Sequence, residues 1–322
     1  MAVRPRLRTS VAISPTEDIA LATGAMKIDP GDPTRQIPDD TLTVIELPLP
    51  ADKLKAPQVI ATLRAGKGAS GVSINKSGTL ALVANRNEGT ISVFSVNGDK
   101  VEPAGETVRV GDDKSGPSHV VFSPDGKTAL VTMDGENSHK IAVLSIDGTK
   151  VEYTKRDMNA GLRPYGLDMS SAADVAVVAN IGRGQGDADT ISVIDMNASP
   201  PRVVNTLTVG QTPEGIKLSP DGNYVAVTVM NGTNKSENSP FYNPNGLLQV
   251  YARQGTNLTK VAEAPVGKWC QGVAWNSTSD MVLVQCMVEQ EILTFSFSGS
   301  GLQKTGVIKT KGGPAAIRTA EK

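Results

Sequence analysis

The stretch Gly116–Ile146, GPSHVVFSPDGKTALVTMDGENSHKIAVLSI, carries the reading of this 322-residue chain. Val120–Ser123 is β-branched and aromatic, as a strand requires. Ser123-Pro124-Asp125-Gly126 is a tight turn, Pro presetting φ and Gly free to take a positive one. Ala129–Thr132 reads as the return strand. Ile141–Ile146 alternates and ends at Asp147-Gly148, a hairpin signal, with a fourth strand at Val151–Thr154.

The rest of the chain repeats this unit. The approaches to the first strand are Arg8-Thr9-Ser10-Val11, Ala69-Ser70-Gly71-Val72, Pro117-Ser118-His119-Val120, Pro164-Tyr165-Gly166-Leu167, Pro213-Glu214-Gly215-Ile216, Cys270-Gln271-Gly272-Val273 and Pro314-Ala315-Ala316-Ile317. Steps between their aligned positions are 61, 48, 47, 49, 57 and 44 residues, the period of a four-stranded propeller blade. Second strands such as LALVAN (80–85) and VAVTVM (225–230) follow the first turn. Third strands such as TISVFSV (90–96) and TISVIDM (190–196) come next. A sandwich would not hold a fixed repeat of this length.

The expected fold is therefore all-β: a β-propeller of four-stranded antiparallel blades, six complete, plus a lone strand at 314–320 belonging to a seventh. The whole chain, 1–322, is read as one domain, with repeats near 9–68, 69–116, 117–163, 164–212, 213–269 and 270–313. Closing a seventh blade requires three more strands, so an extension upstream of Met1 is expected, bringing an export signal with it. That predicts a periplasmic or secreted protein; without the extension the expectation is cytoplasmic. The variable length sits between second and third strands, at Gly24–Asp40, Ile181–Asp189 and Asn231–Gly246. On a repeat scaffold such insertions collect on one face, often the binding face.

Composition excludes several classes. A formal net charge of −1 gives no electrostatic footprint for a nucleic acid. No apolar run reaches the roughly 18 residues of a membrane span, and Met1–Arg8 has basic residues without an apolar segment after them. Two cysteines and two histidines are too few for a zinc site of the usual spacing. Asp39-Asp40 and Asp187-Ala188-Asp189 lack the spacing of a calcium loop and read as loop caps. No metal and no cofactor is expected. Cys270 and Cys286 are equidistant from Thr278, the centre of the turn between them. A regular hairpin would oppose them, so a cross-strand disulfide and two free packed thiols both remain open.

The repeats resemble the lactonase-like, YVTN-type β-propellers of bacteria. The resemblance is carried by FSPDGKTALVT (122–132), LSPDGNYVAVT (218–228), LALVANRNEGTISVFSV (80–96) and DADTISVID (187–195). It implies a seven-bladed, exported propeller that either opens lactones or binds a partner. Hydrolytic relatives carry His-Pro-His before one first strand and Pro-Arg-His before a later one. This chain has Gly116-Pro117-Ser118-His119 and Pro213-Glu214-Gly215 instead.

Candidate residues follow from position. Arg163, Tyr165, Glu214 and Gln271 are read as equivalent positions at the strand entries of successive blades and are expected to line a channel mouth. Arg163 suits a carboxylate or phosphate. His119, Glu214 and Arg163 are the candidate catalytic groups, His119 as a general base. Asn85, Arg86, Asn180 and Asn231 end second strands on the same expected face and complete the ligand-binding set; an asparagine there is also a common loop opener. The expected partner is a small molecule, anionic by Arg163, or a protein. Two functions stand side by side: a non-catalytic or weakly catalytic binding propeller, and a hydrolase opening a sugar or aryl lactone.

Overall fold

Each first strand ends in the same cap, six times over. Side-chain oxygens of Ser14, Asn75, Ser123, Ser170, Ser219 and Asn276 accept the backbone N–H five residues on, at 2.9–3.2 Å. The fourth residue of each turn is left-handed: Glu17, Gly78, Gly126, Ala173, Gly222 and Ser279, with φ from 57° to 73°. Serine and asparagine compete for the backbone in this way, which turns the chain back on itself.

The computed structural model describes residues 7–48 and 55–320, and these form six antiparallel sheets with no helix among them. The first sheet runs β1 (Leu7–Ile13), β2 (Ile19–Asp29), β3 (Asp32–Glu46) and β4 (Gln58–Arg64). The second runs β5 (Ala69–Ile74), β6 (Leu80–Asn85), β7 (Thr90–Asn97) and β8 (Lys100–Pro103), with β9 (Val108–Arg109) also on β7. The third runs β10 (Pro117–Phe122), β11 (Thr128–Met133), β12 (Lys140–Asp147) and β13 (Lys150–Tyr153), with β14 (Met158–Asn159) also on β12. The fourth has β15 (Pro164–Met169), β16 (Val175–Asn180), β17 (Asp189–Asp195) and β18 (Arg202–Gly210). The fifth has β19 (Pro213–Leu218), β20 (Tyr224–Val229), β21 (Gly246–Gln254) and β22 (Asn257–Val266). The sixth has β23 (Gly272–Trp275), β24 (Met281–Cys286), β25 (Glu291–Phe297) and β26 (Leu302–Lys309). Sequence order equals spatial order in every sheet, as in the blades of a β-propeller.

The chain forms two compact units. One gathers the described residues up to Glu136 with Ala142–Asp157 and Ala320; the other is Asn137–Ile141 and Met158–Thr319. Within each, neighbouring sheets pack face to face. In the first unit Leu82, Ile91 and Val93 meet Val131 and Leu144. In the second, Tyr224, Trp275 and Phe297 form an edge-to-face knot between the fifth and sixth sheets, with Phe297 ring centroids 4.8 Å from Tyr224 and 5.6 Å from Trp275. Each large side chain buried this way contributes about 1.5–3 kcal/mol.

Glycines let the first strands of successive sheets touch. A Cβ on Gly71 would lie 2.6 Å from the Cα of His119. On Gly166 it would strike the carbonyl of Glu214, and on Gly215 that of Gln271. On Gly272 it would lie 2.8 Å from Ile317. The 314–319 segment therefore follows the sixth sheet in the place where each first strand follows the sheet before it, although it takes no part in any of the six sheets.

Three sequence readings of the fold change. The 314–320 run, expected as a strand, is irregular, because it finds no strand partner among the described residues. Gly24–Asp40, expected as a loop, is a β-hairpin extension: Met26 pairs with Pro38, Lys27 with Ile37 and Ile28 with Gln36. The choice left open at the cysteines closes in favour of a Cys270–Cys286 disulfide, Cα to Cα 4.0 Å. The hairpin register is Gly272 opposite Gln285, so Cys270 lies two residues ahead of β23 rather than directly opposite its partner. Of the Met1–Arg8 run, the first six positions lie outside the described residues.

Candidate functional site

One lead-in residue is left-handed in five repeats: Gly68 (71°), Gly116 (62°), Arg163 (54°) and Thr212 (54°), each just ahead of a first strand, and Trp269 (52°), three residues ahead of β23. Its carbonyl accepts the N–H of the residue that leaves the second strand. The donors are Arg86, Asp134, Ile181, Met230 and Met287, at 2.8–3.2 Å. This bond sets the lead-in to each first strand beside the exit of its second strand.

In the second unit the two insertions hook onto these lead-ins. Gly182 N–H donates to the Leu162 carbonyl at 3.1 Å, and Thr212 N–H donates to Asp189 Oδ2 at 2.9 Å. Burial pushes the Asp189 carboxyl above its usual range. The Thr212 N–H opposes that rise and Asp187 adds to it. In the 231–246 loop, Asn231 N–H donates to the Gln211 carbonyl at 3.0 Å. Gln211 Nε2 donates to the Phe241 carbonyl at 3.2 Å, and Trp269 N–H to Thr233 Oγ1 at 3.2 Å. Lys235 Nζ donates to the Gly184 carbonyl, joining one loop to the other.

Against this frame the candidate residues sort by unit. Tyr165, Glu214 and Gln271 occupy one repeat position, all partly exposed, and the Gly166 and Gly215 contacts bring their backbones together strand by strand. Arg163, expected at the same repeat position, is not there: it is also partly exposed but sits two residues before Tyr165 in the same repeat, at the left-handed position of Thr212 and Trp269. Asn231 keeps some exposure while its Nδ2 donates to the Asn245 carbonyl at 3.0 Å. Asn180 is buried, and its Nδ2 donates to Thr190 Oγ1 and Ser192 Oγ, both at 3.0 Å.

In the first unit Asn85 plays the same part as Asn180. Fully buried, it donates to Thr90 Oγ1 (3.0 Å) and Ser92 Oγ (2.9 Å) and accepts Gly66 N–H (2.9 Å). Both asparagines tie the end of a second strand to the third, and Asn85 alone also holds a lead-in, through Gly66 N–H. Arg86 Nη1 pairs with the buried Asp134 at 2.7 Å, and Ser118 Oγ donates to the same carboxylate at 2.6 Å. Beside them His119 is partly exposed, with its N–H donated to Thr132 Oγ1 at 3.1 Å. Among the described residues no group of His, Cys, Asp and Glu is placed to hold a metal ion.

Sequence reasoning passed over Thr212, Trp269 and Phe241. The signal for the first two lies one column earlier in the repeat alignment, where Gly68 and Gly116 give way to Arg163, Thr212 and Trp269.

Residues 101–236 match the family described as Lactonase, 7-bladed beta-propeller. No curated protein matches the chain. Among solved structures, hydrazine synthase of Kuenenia stuttgartiensis superposes with a TM-score of 0.75 at 16% identity, covering 98% of this chain and 91% of that one. The periplasmic gluconolactonase PpgL of Pseudomonas aeruginosa gives 0.74 at 16%, covering 96% and 87%. The Cps50 (Swd1) β-propeller domain of Myceliophteria thermophila gives 0.66 at 11%, covering 96% and 88%. At these identities the likeness is one of fold, and such different proteins share it. With the repeat runs, the sheet order and these superpositions together, the chain has the β-propeller fold, and its residues 101–236 are similar to the seven-bladed lactonase family.

Proposed function

We propose that the chain is a lactonase-like hydrolase that takes a sugar lactone at the lead-ins of β15, β19 and β23. The observation that carries this is the succession Arg163, Tyr165, Glu214 and Gln271 along three first strands in contact, with both insertions tied to the same lead-ins. Polar groups gathered on rigid strand ends, under loops, are the usual makings of a ligand site. In this reading Glu214 removes a proton from the attacking water. Arg163 stabilises the charge that develops on the carbonyl oxygen and the carboxylate that ring opening leaves. The match to the lactonase family supports it.

A second reading, a propeller that binds the carboxylate without turnover, is favoured by one specific feature. Where hydrolytic relatives carry histidines, this chain has Ser118 and Gly215. Proton release from glucono-δ-lactone and dihydrocoumarin, corrected for spontaneous opening, separates the two. Hydrolysis predicts saturable turnover that falls about 100-fold or more in Glu214→Gln and requires higher substrate in Arg163→Glu. Binding alone predicts no turnover but calorimetric gluconate binding that Arg163→Glu abolishes. Neither turnover nor binding would overturn both. The Cys270–Cys286 bridge supports an oxidising compartment, periplasmic or extracellular.

A further inference from the structure

We propose that Trp269 is the stacking platform for a saccharide ring at the lead-in to β23, a role that rests on the sugar-lactone reading above. The position it occupies is left-handed in five repeats and is glycine in two of them. Glycine is what that conformation favours, and a bulky residue held there is an outlier that needs a reason. Such residues persist where the surroundings over-determine them, and they cluster at ligand sites.

The surroundings of Trp269 do fix it. Its N–H donates to Thr233 Oγ1 at 3.2 Å and its carbonyl accepts Met287 N–H at 3.2 Å. The next residue, Cys270, is tied to Cys286. Held this firmly, the indole is nevertheless 39% exposed, whereas the chain's other tryptophan, Trp275, is 1% exposed with its Nε1 donated to the Lys217 carbonyl. Core packing therefore explains Trp275 and not Trp269. A rigid backbone that presents an aromatic face to solvent is preorganised for a ring.

The same loop that supplies Thr233 carries Phe241, 45% exposed, and Tyr242, whose ring lies 5.6 Å from Lys268 Nζ. Phe241 is seated against Gly186. Two adjacent segments thus hold three of the chain's twelve aromatic residues (two Trp, five Tyr, five Phe). Lys268 and Glu237, 3.6 Å apart, stand beside Tyr242, whose hydroxyl donates to Glu237 Oε1 at 3.3 Å, so the apolar surface is broken by hydrogen-bonding groups. A protein partner favours a contiguous apolar patch. A sugar ring suits this mixture better: its C–H face lies on the indole while its hydroxyls meet the polar side chains.

The probes are methyl β-D-glucopyranoside and gluconate, titrated calorimetrically and by indole fluorescence in Trp275→Phe, which leaves Trp269 as the only tryptophan. Saturable binding with a matching change in indole emission is expected. Trp269→Gly should weaken binding by at least about tenfold while unfolding at the same or a higher temperature, because glycine suits the left-handed backbone. Trp269→Phe should bind within about threefold of the parent. Unchanged affinity in Trp269→Gly, or saturable binding with no change in indole emission, overturns the platform. The lactonase reading fails separately: sugar binding that depends on Trp269 without any lactone turnover leaves the platform standing, and turnover that survives Trp269→Gly sinks the platform alone.

Discussion

Thr212 and Asp189 are coupled through one hydrogen bond, and each sets a measurable property. Thr212 is a buried, β-branched residue at φ 54°, a conformation that costs a non-glycine residue on the order of 1–2 kcal/mol. Its N–H is held by Asp189 Oδ2 whatever the side chain is. Thr212→Gly should therefore raise stability, by about 1 kcal/mol after the lost side-chain burial is set against the relief; a lower urea midpoint would refute this. Asp189 gives the pH dependence. Its carboxyl is raised by burial, so the folded state binds its proton more tightly than the unfolded chain does. The stability it confers is present below the unfolded value of about 3.9 and is lost as pH rises through the higher folded value. Asp189→Asn keeps an oxygen for Thr212 N–H and should flatten that decline. Urea midpoints across the acidic range, parent against variant, read it directly.

At the scale of the element, the β23–β24 hairpin shows what was legible in the sequence and what was not. The strands and turns were legible because their chemistry is local: an oxygen at Ser14, Asn75 or Ser219 caps its own turn wherever the rest of the chain lies. The proximity of Cys270 and Cys286 was legible from counting, but their offset was not, since the Gly272–Gln285 register depends on tertiary packing. Residues 24–40 read as a loop because most of β3's first half is exposed and shows no apolar alternation. The left-handed lead-in was hidden where arginine, threonine and tryptophan replace glycine. Of the site, the shared position of Tyr165, Glu214 and Gln271 could be read, but not the burial of Asn85 and Asn180, which a residue's identity at a strand end does not reveal. The disulfide closes a short loop and anchors the Trp269–Gln271 lead-in. Cys270→Ser with Cys286→Ser should cost about 2–4 kcal/mol in urea unfolding and weaken sugar binding by more than it perturbs the other sheets. Equal stability of the double variant would show the bridge to be dispensable.

Across whole units, stability depends on first strands close enough that no Cβ fits between them. Gly166 and Gly215 have no positive φ, so backbone freedom is not why they are glycine; the carbonyls of Glu214 and Gln271 stand where their side chains would go. Alanine at either position meets a backbone carbonyl first, and at Gly215 also the Thr228 hydroxyl, so it must push one strand off the next. Gly312 has open space around it and no left-handed backbone, which makes it the matched control. Gly98 separates the remaining cause: it too has open space, but at φ 61°. Gly166→Ala and Gly215→Ala should each lose at least about 2–3 kcal/mol, Gly98→Ala about 1 kcal/mol, and Gly312→Ala less than about 0.5 kcal/mol. The two strand variants should also weaken gluconate binding, because the carbonyls they displace belong to the residues proposed to hold it. Should Gly166→Ala unfold no earlier than Gly312→Ala, close approach would not be what holds these strands, and the succession Tyr165, Glu214, Gln271 would lose its structural basis.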